Sequence, residues 1–365
     1  VVARRPRRRG HQVTGRALAT AACLAVASHG GAGTAPGAGF VDPLDQPAAP
    51  SALAPRALLS AVTRAGTRLV AVGQRGHCLW SDDAGTSWMQ AAVPASSDLT
   101  AVHFPSPWRG FAVGHDGVVL TTADGGRSWT KRLDGRGIGA LLRARYREPA
   151  LAAGDGIAGQ ARALADRAPG VSLLAVWFAD ERVGFVAGAF GLVLGTEDGG
   201  ESWTPWLDRV ENPRALHLHA IGGVGGAVLL AGEQGLLLRL DPGARRFRAV
   251  RVPQGGSFFA LAATGRTAVL GGLGGRALRT GDAGATWQEA TTGVGASVTG
   301  AAFLPDGRLV LVSLQGDVLV TGDGGRSFQR ADPARRSAPV SSVAVADAET
   351  LVFAGPAGVR RERLR

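Results

Sequence analysis

The chain has 365 residues, of which 55 are glycine, 45% are hydrophobic and only 19% are charged. This is too apolar for general disorder, and too rich in glycine for a helical bundle, since each interior glycine costs a helix about 1 kcal/mol. The formal net charge of +11 is concentrated at the ends: six arginines lie in residues 1–27, without which the balance falls to +5, and the last six residues add three net positives. A body so nearly balanced, with no aromatic residues interleaved along a basic stripe, excludes nucleic acid as the natural partner. No apolar run reaches the roughly 18 residues of a transmembrane helix, so the chain is not itself expected to span a membrane.

At the N-terminus, Arg4, Arg5, Arg7, Arg8 and Arg9 precede a short apolar stretch, residues 17–27, ending in Ala25-Val26-Ala27. That order reads as a secretory signal peptide over residues 1–27 and predicts an exported protein, periplasmic or secreted. An ordinary basic tail is the alternative. Val1 at the first position points to an unusual start codon or a start further upstream. A Gly/Ala/Pro-rich segment follows over residues 28–57. Of the two cysteines, Cys23 falls in the presequence, which leaves Cys78 alone and no internal disulfide possible. Cys78 reads as a buried strand residue. His217 and His219, two apart on a predicted strand, share one face without further ligands, so neither metal nor cofactor is expected.

Residues 58–365 are organised by a repeat of about forty residues. A Gly-x-x-Gly tetrad closes an apolar run at 73–76, 114–117, 188–191, 232–235, 272–275 and 355–358, with the variant Ser313-Leu314-Gln315-Gly316 between the last two. Successive starts differ by 41, 74, 44, 40, 41 and 42 residues, so there are seven copies, with one insertion of about 33 residues.

A second marker follows the tetrads: Ser/Thr-x-Asp-x-Gly-x-Ser/Thr-Trp, at 81–88, 122–129, 196–203, 280–287 and, with Phe at the last place, 321–328. Its anchors are Asp83 and Trp88, Asp124 and Trp129, Asp198 and Trp203, Asp282 and Trp287, and Asp323 and Phe328. The fourth repeat keeps a worn version, Asp241-Pro242-Gly243 leading to Phe247, and the seventh has none. The pattern resembles the Asp-box (BNR) repeat. It describes a hairpin in which the carboxylate accepts backbone N–H groups, glycine supplies positive φ and the aromatic ring packs on the neighbouring repeat.

Each repeat also carries short apolar runs separated by turn residues, as in 99–104, 110–113, 118–121 and 128–132. Four strands in each of seven repeats predict an all-β fold, a seven-bladed β-propeller of four-stranded antiparallel blades. The last repeat shows only three runs before the chain ends, so a segment between Phe40 and Leu53 is expected to supply its fourth strand. In the insert, about residues 135–170, Ile138, Leu141, Leu142, Tyr146, Leu151, Ala161, Leu164 and Ala165 recur at helical intervals between arginines. One or two amphipathic helices docked on the ring are expected there, with a surface excursion as the alternative.

The Asp boxes, the seven-fold count and blades of the type AVGHDGVVLTTADGGRSW, residues 112–129, resemble the photosystem II stability/assembly factor family over residues 58–365. The resemblance implies a non-catalytic propeller, exported to the thylakoid lumen in photosynthetic members, that assists assembly by binding a membrane-protein client. A monomer is expected. Asp boxes also occur in sialidases, so a secreted glycoside hydrolase or sugar-binding module is the alternative. Against it, the one tyrosine, Tyr146, lies in the insert, and no acids outside the boxes form a recognisable pair.

If the tetrads join the second and third strands of each blade, their variable residues ring one face. Half of that ring is polar and of mixed sign, with Arg75, His115, Asp116, Glu233 and Gln234; the other half is apolar, with Phe190, Leu273 and Leu314. Such a face suits a protein or peptide partner. Arg75, His115, Asp116, Glu233 and Gln234 are its polar contact candidates and Phe190 its apolar anchor. Solvated turn residues are the alternative. Trp108, Trp177 and Trp206 read as blade packing, with Trp206 close enough to a box to be exposed.

Overall fold

The apolar runs fold as strands because each second strand is pressed between two neighbouring sheets. Arg68–Gly73, Gly110–Gly114, Gly184–Gly188, Ala227–Gly232, Leu309–Ser313 and Thr350–Gly355 are buried at every position. Burial on both faces explains why these strands read as continuous apolar runs, without alternation. The outermost strands, such as Met89–Gln90 and Gln329–Arg330, are short and more exposed.

The computed structural model describes residues 41–147, 156–253, 255–332 and 337–364. Residues 41–365 form one unit, separate from residues 1–40, so the expected signal peptide lies outside the described residues. Seven antiparallel sheets follow in chain order: blades 1 (59–90), 2 (99–133), 3 (173–205), 4 (218–249), 5 (258–290), 6 (298–330) and 7 (342–363). Their first strands pack side by side around a central channel, and that of blade 7, Ser342–Val345, meets that of blade 1, Leu59–Ala65. The seven-bladed propeller is therefore closed.

Among the described residues, blades 1–6 have four strands, but blade 7 has three: Ser342–Val345, Thr350–Gly355 and Gly358–Arg363. Residues 41–57 supply no fourth strand; they form short 3-10 turns at Pro43–Asp45 and Ala54–Arg56. Pro43, Pro47, Pro50 and Pro55 account for this, because proline cannot donate to a strand ladder. The segment instead straps the outside of blade 1. The Ala48 N–H donates to the Val93 carbonyl (3.0 Å), the Ser96 N–H to the Pro43 carbonyl (2.8 Å), and the Ser51 N–H to Gln90 Oε1 (2.8 Å). Leu44 is buried beside Val93 and Ala95, and Ala54 beside Leu59 and Val352, where blade 7 meets blade 1.

The insert forms two helices, α1 (Gly135–Arg145) and α2 (Ile157–Arg167). Asp134 caps α1 by accepting the Gly137 N–H at 3.1 Å. Ile138, Leu142, Tyr146, Ala161, Leu164 and Ala165 bury one face of the pair against blades 2 and 3. Leu151, expected to join them, lies outside the described residues. The Tyr146 hydroxyl donates to Asp208 (2.6 Å) and the Arg145 guanidinium pairs with the same carboxylate (3.0 Å), which ties α1 to the outer edge of blade 3. Burial, with Asp208 beside it, pushes the Tyr146 phenol up to about 12, so it stays protonated as a donor.

The Asp boxes form as their chemistry requires. Asp83 accepts the Thr86 and Ser87 N–H groups (3.0 and 2.9 Å) and the hydroxyls of Ser81 and Ser87 (2.8 and 2.6 Å). Asp124, Asp198, Asp282 and Asp323 repeat the arrangement. These bonds favour the ionised form: the Ser202 hydroxyl and N–H bring Asp198 down to about 2. The aromatic residue closing each box is buried or half-buried, and Trp88, Trp129 and Trp287 each donate the indole N–H back to a box glycine carbonyl at 3.2 Å.

Candidate functional site

The tetrads do join second to third strands. In blade 1 the His77 N–H donates to the Gln74 carbonyl (3.0 Å), and Arg75 and Gly76 between them have φ of 55° and 70°. Two consecutive positive φ values make this a type I′ turn, the hairpin turn whose twist matches the flanking strands. The first glycine is needed for a different reason: a Cβ on Gly114 would lie 2.1 Å from the Asp98 carbonyl oxygen of the first strand's approach. In the third tetrad place, Arg75, Asp116, Phe190 and Gln234 hold φ between 52° and 57°. Each of these side chains is carried on a backbone conformation costing a non-glycine residue about 1 kcal/mol.

Because strands alternate in direction, the tetrad turns share one face with the connections between blades, and α1 and α2 sit there as well. Gly117 of the second turn abuts Gly135 at the start of α1. The six candidate residues do lie on this face, spread over four turns without converging on a compact centre. Most of the polar ones brace the connections between blades. Asp116 accepts the Ser97 hydroxyl (2.8 Å), His115 Nδ1 bonds Ser172 Oγ (2.7 Å), Glu233 accepts the His217 N–H (2.9 Å) and Gln234 accepts from Arg214 (2.6 Å). The Arg75 N–H donates to Asp98 (2.7 Å), leaving its guanidinium at the surface.

Phe190 is 39% exposed, and the turns of blades 5 and 6 expose Leu273 and Leu314 by 53% and 51%. Around Phe190 stand residues that motif reading did not select. The Arg167 guanidinium at the end of α2 lies 5.6 Å from its ring centre, and the His217 ring packs edge-on at 5.1 Å. His219 and Phe259 continue this aromatic row into the channel mouth, 5.4 Å apart. The signal for this row was the spacing of His217 and His219 on an inner strand. Burial holds His219 below the ordinary histidine value, with Glu233 opposing and His217 reinforcing that shift.

The channel wall is made largely of small side chains. At residues 60, 100, 174, 219, 259 and 299 the first strands of blades 1–6 each carry a one-residue bulge, which re-aims side chains at the wall. Ser60, Thr100 and Thr299 stand there opposite Leu174, His219 and Phe259, and among the described lining residues none is a carboxylate. No group of three potential metal ligands occurs among the described residues, and none of their helices is long and apolar enough to cross a membrane.

Of the tryptophans read as blade packing, Trp206 agrees and Trp108 does not. Trp206 is buried, its ring 4.9 Å from Phe185 and 6.0 Å from Phe247. Trp108 is exposed, on the face opposite the tetrads, where the first and second strands of blade 2 join. Cys78 is fully buried, and burial pushes its thiol up, away from reactivity.

The family profile described as Photosynthesis system II assembly factor YCF48 matches residues 167–352. No curated protein matches the sequence. Among solved structures the chain is similar to YCF48 from Cyanidioschyzon merolae, with 16% identity and a TM-score of 0.60 over 84% of this chain and 96% of that one. It is similar to YCF48 bound to D1 peptide at 14% identity and a TM-score of 0.60, over 85% and 94% of the two chains. A streptogramin B lyase matches at 9% identity with a TM-score of 0.64, over 85% and 95%. At these identities the likeness is one of fold, and a lyase among the matches means that fold alone does not decide between binding and catalysis. The profile match, by contrast, is one of sequence, running from the end of α2 to the second strand of blade 7 and covering half of the chain, which therefore belongs to the photosynthesis system II assembly factor YCF48 family.

Proposed function

We propose that this chain is a non-catalytic assembly factor that acts outside the cytoplasm and holds a segment of a membrane-protein client on its tetrad-turn face. The observation that carries this reading is the exposure of Phe190, Leu273 and Leu314 on turns of that one face. Large apolar side chains held out on rigid hairpin turns lose little entropy on binding, the property of an interface anchor. The D1 peptide held by the YCF48 of the solved complex supports a peptide segment as the kind of client. A channel wall without carboxylates among its described residues favours binding over glycoside hydrolysis, which needs two.

The test is capture from detergent-solubilised membranes by the tagged chain, with quantitative binding of the D1 peptide measured beside it. Phe190→Ala with Leu273→Ala should weaken capture about tenfold, in the range of interface anchors. Arg75→Ala with Glu233→Ala should weaken it less, because Glu233 braces a connection between blades. Equal recovery of the same protein by native chain and both variants would put the client elsewhere.

A further inference from the structure

The ring departs from its clamped junctions, those between blades 1 and 2 and between blades 2 and 3, in three places that meet at one junction, between blades 3 and 4. Five residues before the tetrad glycine, blades 1 and 2 carry Arg68 and Arg109, each of which donates to backbone carbonyls in the Asp box of the next blade. Blade 3 carries Val183 there, 37% exposed. Seven residues after that glycine, the other blades carry Trp80, Thr121, Arg239, Arg279, Val320 and Glu362, whereas blade 3 has Gly195. The third departure is the worn box of blade 4. Its hairpin pairs directly, Asp241 with Arg246, and so lacks the double-glycine corner that packs Gly126 on Val70 and Gly200 on Phe111 at intact junctions.

The result is a cleft opening on the Asp-box side, floored by Trp177, Phe185 and Trp206 and rimmed by Glu197, Arg209 and Arg245. The absent side chain at Gly195 opens it between Phe185 and Trp206, since a Cβ there would lie 3.1 Å from the first ring and 2.9 Å from the second. Arg209 lies over Trp206, 5.0 Å from the ring centre, and Arg245 pairs with Glu197 across the mouth. Arg245 holds a φ of 49°. Among the described residues neither the Trp177 nor the Trp206 indole N–H donates a hydrogen bond, unlike the box indoles of Trp88, Trp129 and Trp287.

We propose that this cleft binds an extended acidic peptide segment that inserts an aromatic or branched aliphatic side chain between Trp177 and Trp206. The rim offers donors in excess: two indole N–H groups and the N–H groups left on Arg209, which lies 3.9 Å from Asp208, and on Arg245, against the carboxylates of Glu197, already paired with Arg245, and Asp198, already engaged by its own box. Peptide carbonyls and acidic side chains are pure acceptors and match that set. Sugar hydroxyls need acceptors as much as donors, so the rim suits a saccharide less well. The apolar floor takes the anchor. The site lies on the opposite face from Phe190 and Leu273, so it stands or falls separately from the client face proposed above.

The experiment pans a displayed heptapeptide library on the full chain and measures the enriched peptides, fluorescein-labelled, by anisotropy. Enriched sequences should place Asp or Glu beside Phe, Tyr, Leu or Ile, and should bind more weakly as salt rises. Gly195→Thr, which copies blade 2, should weaken them at least tenfold, and so should Arg209→Gln with Arg245→Gln if the first variant folds poorly. Phe190→Ala with Leu273→Ala should leave their affinity unchanged. No enrichment, enrichment of basic peptides, or binding by both cleft variants as tight as by the native chain would overturn the proposal. So would an anionic glycan that binds the native chain and is lost with Gly195→Thr, which would make the cleft a sugar site.

Discussion

The junction between blades 1 and 2 is closed by side chains that the junction between blades 3 and 4 does without. At the first, Arg68 is almost fully buried; it pairs with Asp82 at 2.6 Å, donates to the Asp124 and Gly125 carbonyls of the next blade's box, and stacks on Trp80. Arg127 covers the other part of the same indole at 5.2 Å. At the second junction Val183, Gly195 and the Asp241 hairpin occupy the matching places, and what holds the blades is the aromatic cluster of Phe185, Trp206 and Phe247. One ring thus uses two ways of joining neighbours: a polar clamp onto the Asp box, and an apolar contact that leaves room for a ligand.

The largest expected effect breaks the clamp. Arg68→Met should cost about 2–3 kcal/mol, because Asp82 loses its bidentate partner, keeping only Arg127 at 3.7 Å, and two box carbonyls lose their donor. Val183→Ala, at the matching place in blade 3, should change stability by less than about 0.5 kcal/mol, as an accessible side chain with no such bonds. Urea midpoints of the two variants decide the matter. If they shift alike, Arg68 is not what holds blade 1 to blade 2.

A smaller effect compares an intact box with the worn one. Asp124→Ala should cost about 1–2 kcal/mol, since it removes the acceptor for the Ser128 and Arg127 N–H groups and for two hydroxyls. Asp241→Ala should cost less than about 0.5 kcal/mol, because that carboxylate accepts the Ala244 N–H and a long bond from exposed Arg248. Equal losses would mean that the worn box still does the work of an intact one.

The same contrast explains what could be read from the sequence. Tetrads and Asp boxes are positive signals, since glycine, aspartate and tryptophan at fixed offsets each answer a local need, and they disclosed seven blades and an insert. The last repeat showed only three runs, and the fourth strand expected from the N-terminal segment did not form, because counting repeats takes no account of the four prolines in the strap, which rule out a ladder. On the tetrad-turn face, the sequence showed that Glu233 and Asp116 sit on turns but not that they accept bonds from His217 and Ser97, partners that the chain brings together only between blades. The cleft was illegible for a further reason. It arises from residues that are missing, Gly195 for a filler and Val183 for an arginine, and a motif search discards such places as weak copies.

The last effect is nil near neutral pH and appears only on acidification. Burial holds His103 down to about 4, the bond to the Phe178 carbonyl of blade 3 opposing the shift. A histidine kept neutral in the fold but protonated when unfolded loses stability as pH falls from its ordinary 6.5 toward about 4, at no more than about 1.4 kcal/mol per pH unit. The box carboxylates shift downward as well, and for an acid this means stability that is complete above the ordinary carboxylate value of about 3.9. That stability is lost as pH falls toward about 2, the value to which Asp198 is held. His103→Gln should therefore flatten the stability profile between pH 6.5 and 4 and leave the lower limb intact, while Asp198→Asn should flatten only the lower limb. Both groups lie where blade 2 meets blade 3, His103 on the Phe178 carbonyl and the box of Asp198 under Arg109. Hydrogen exchange should accordingly show amides of residues 99–103, around His103, losing protection at a higher pH than those of residues 196–203, around Asp198; the reverse order would mean that the box, and not the buried histidine, is the weaker in acid.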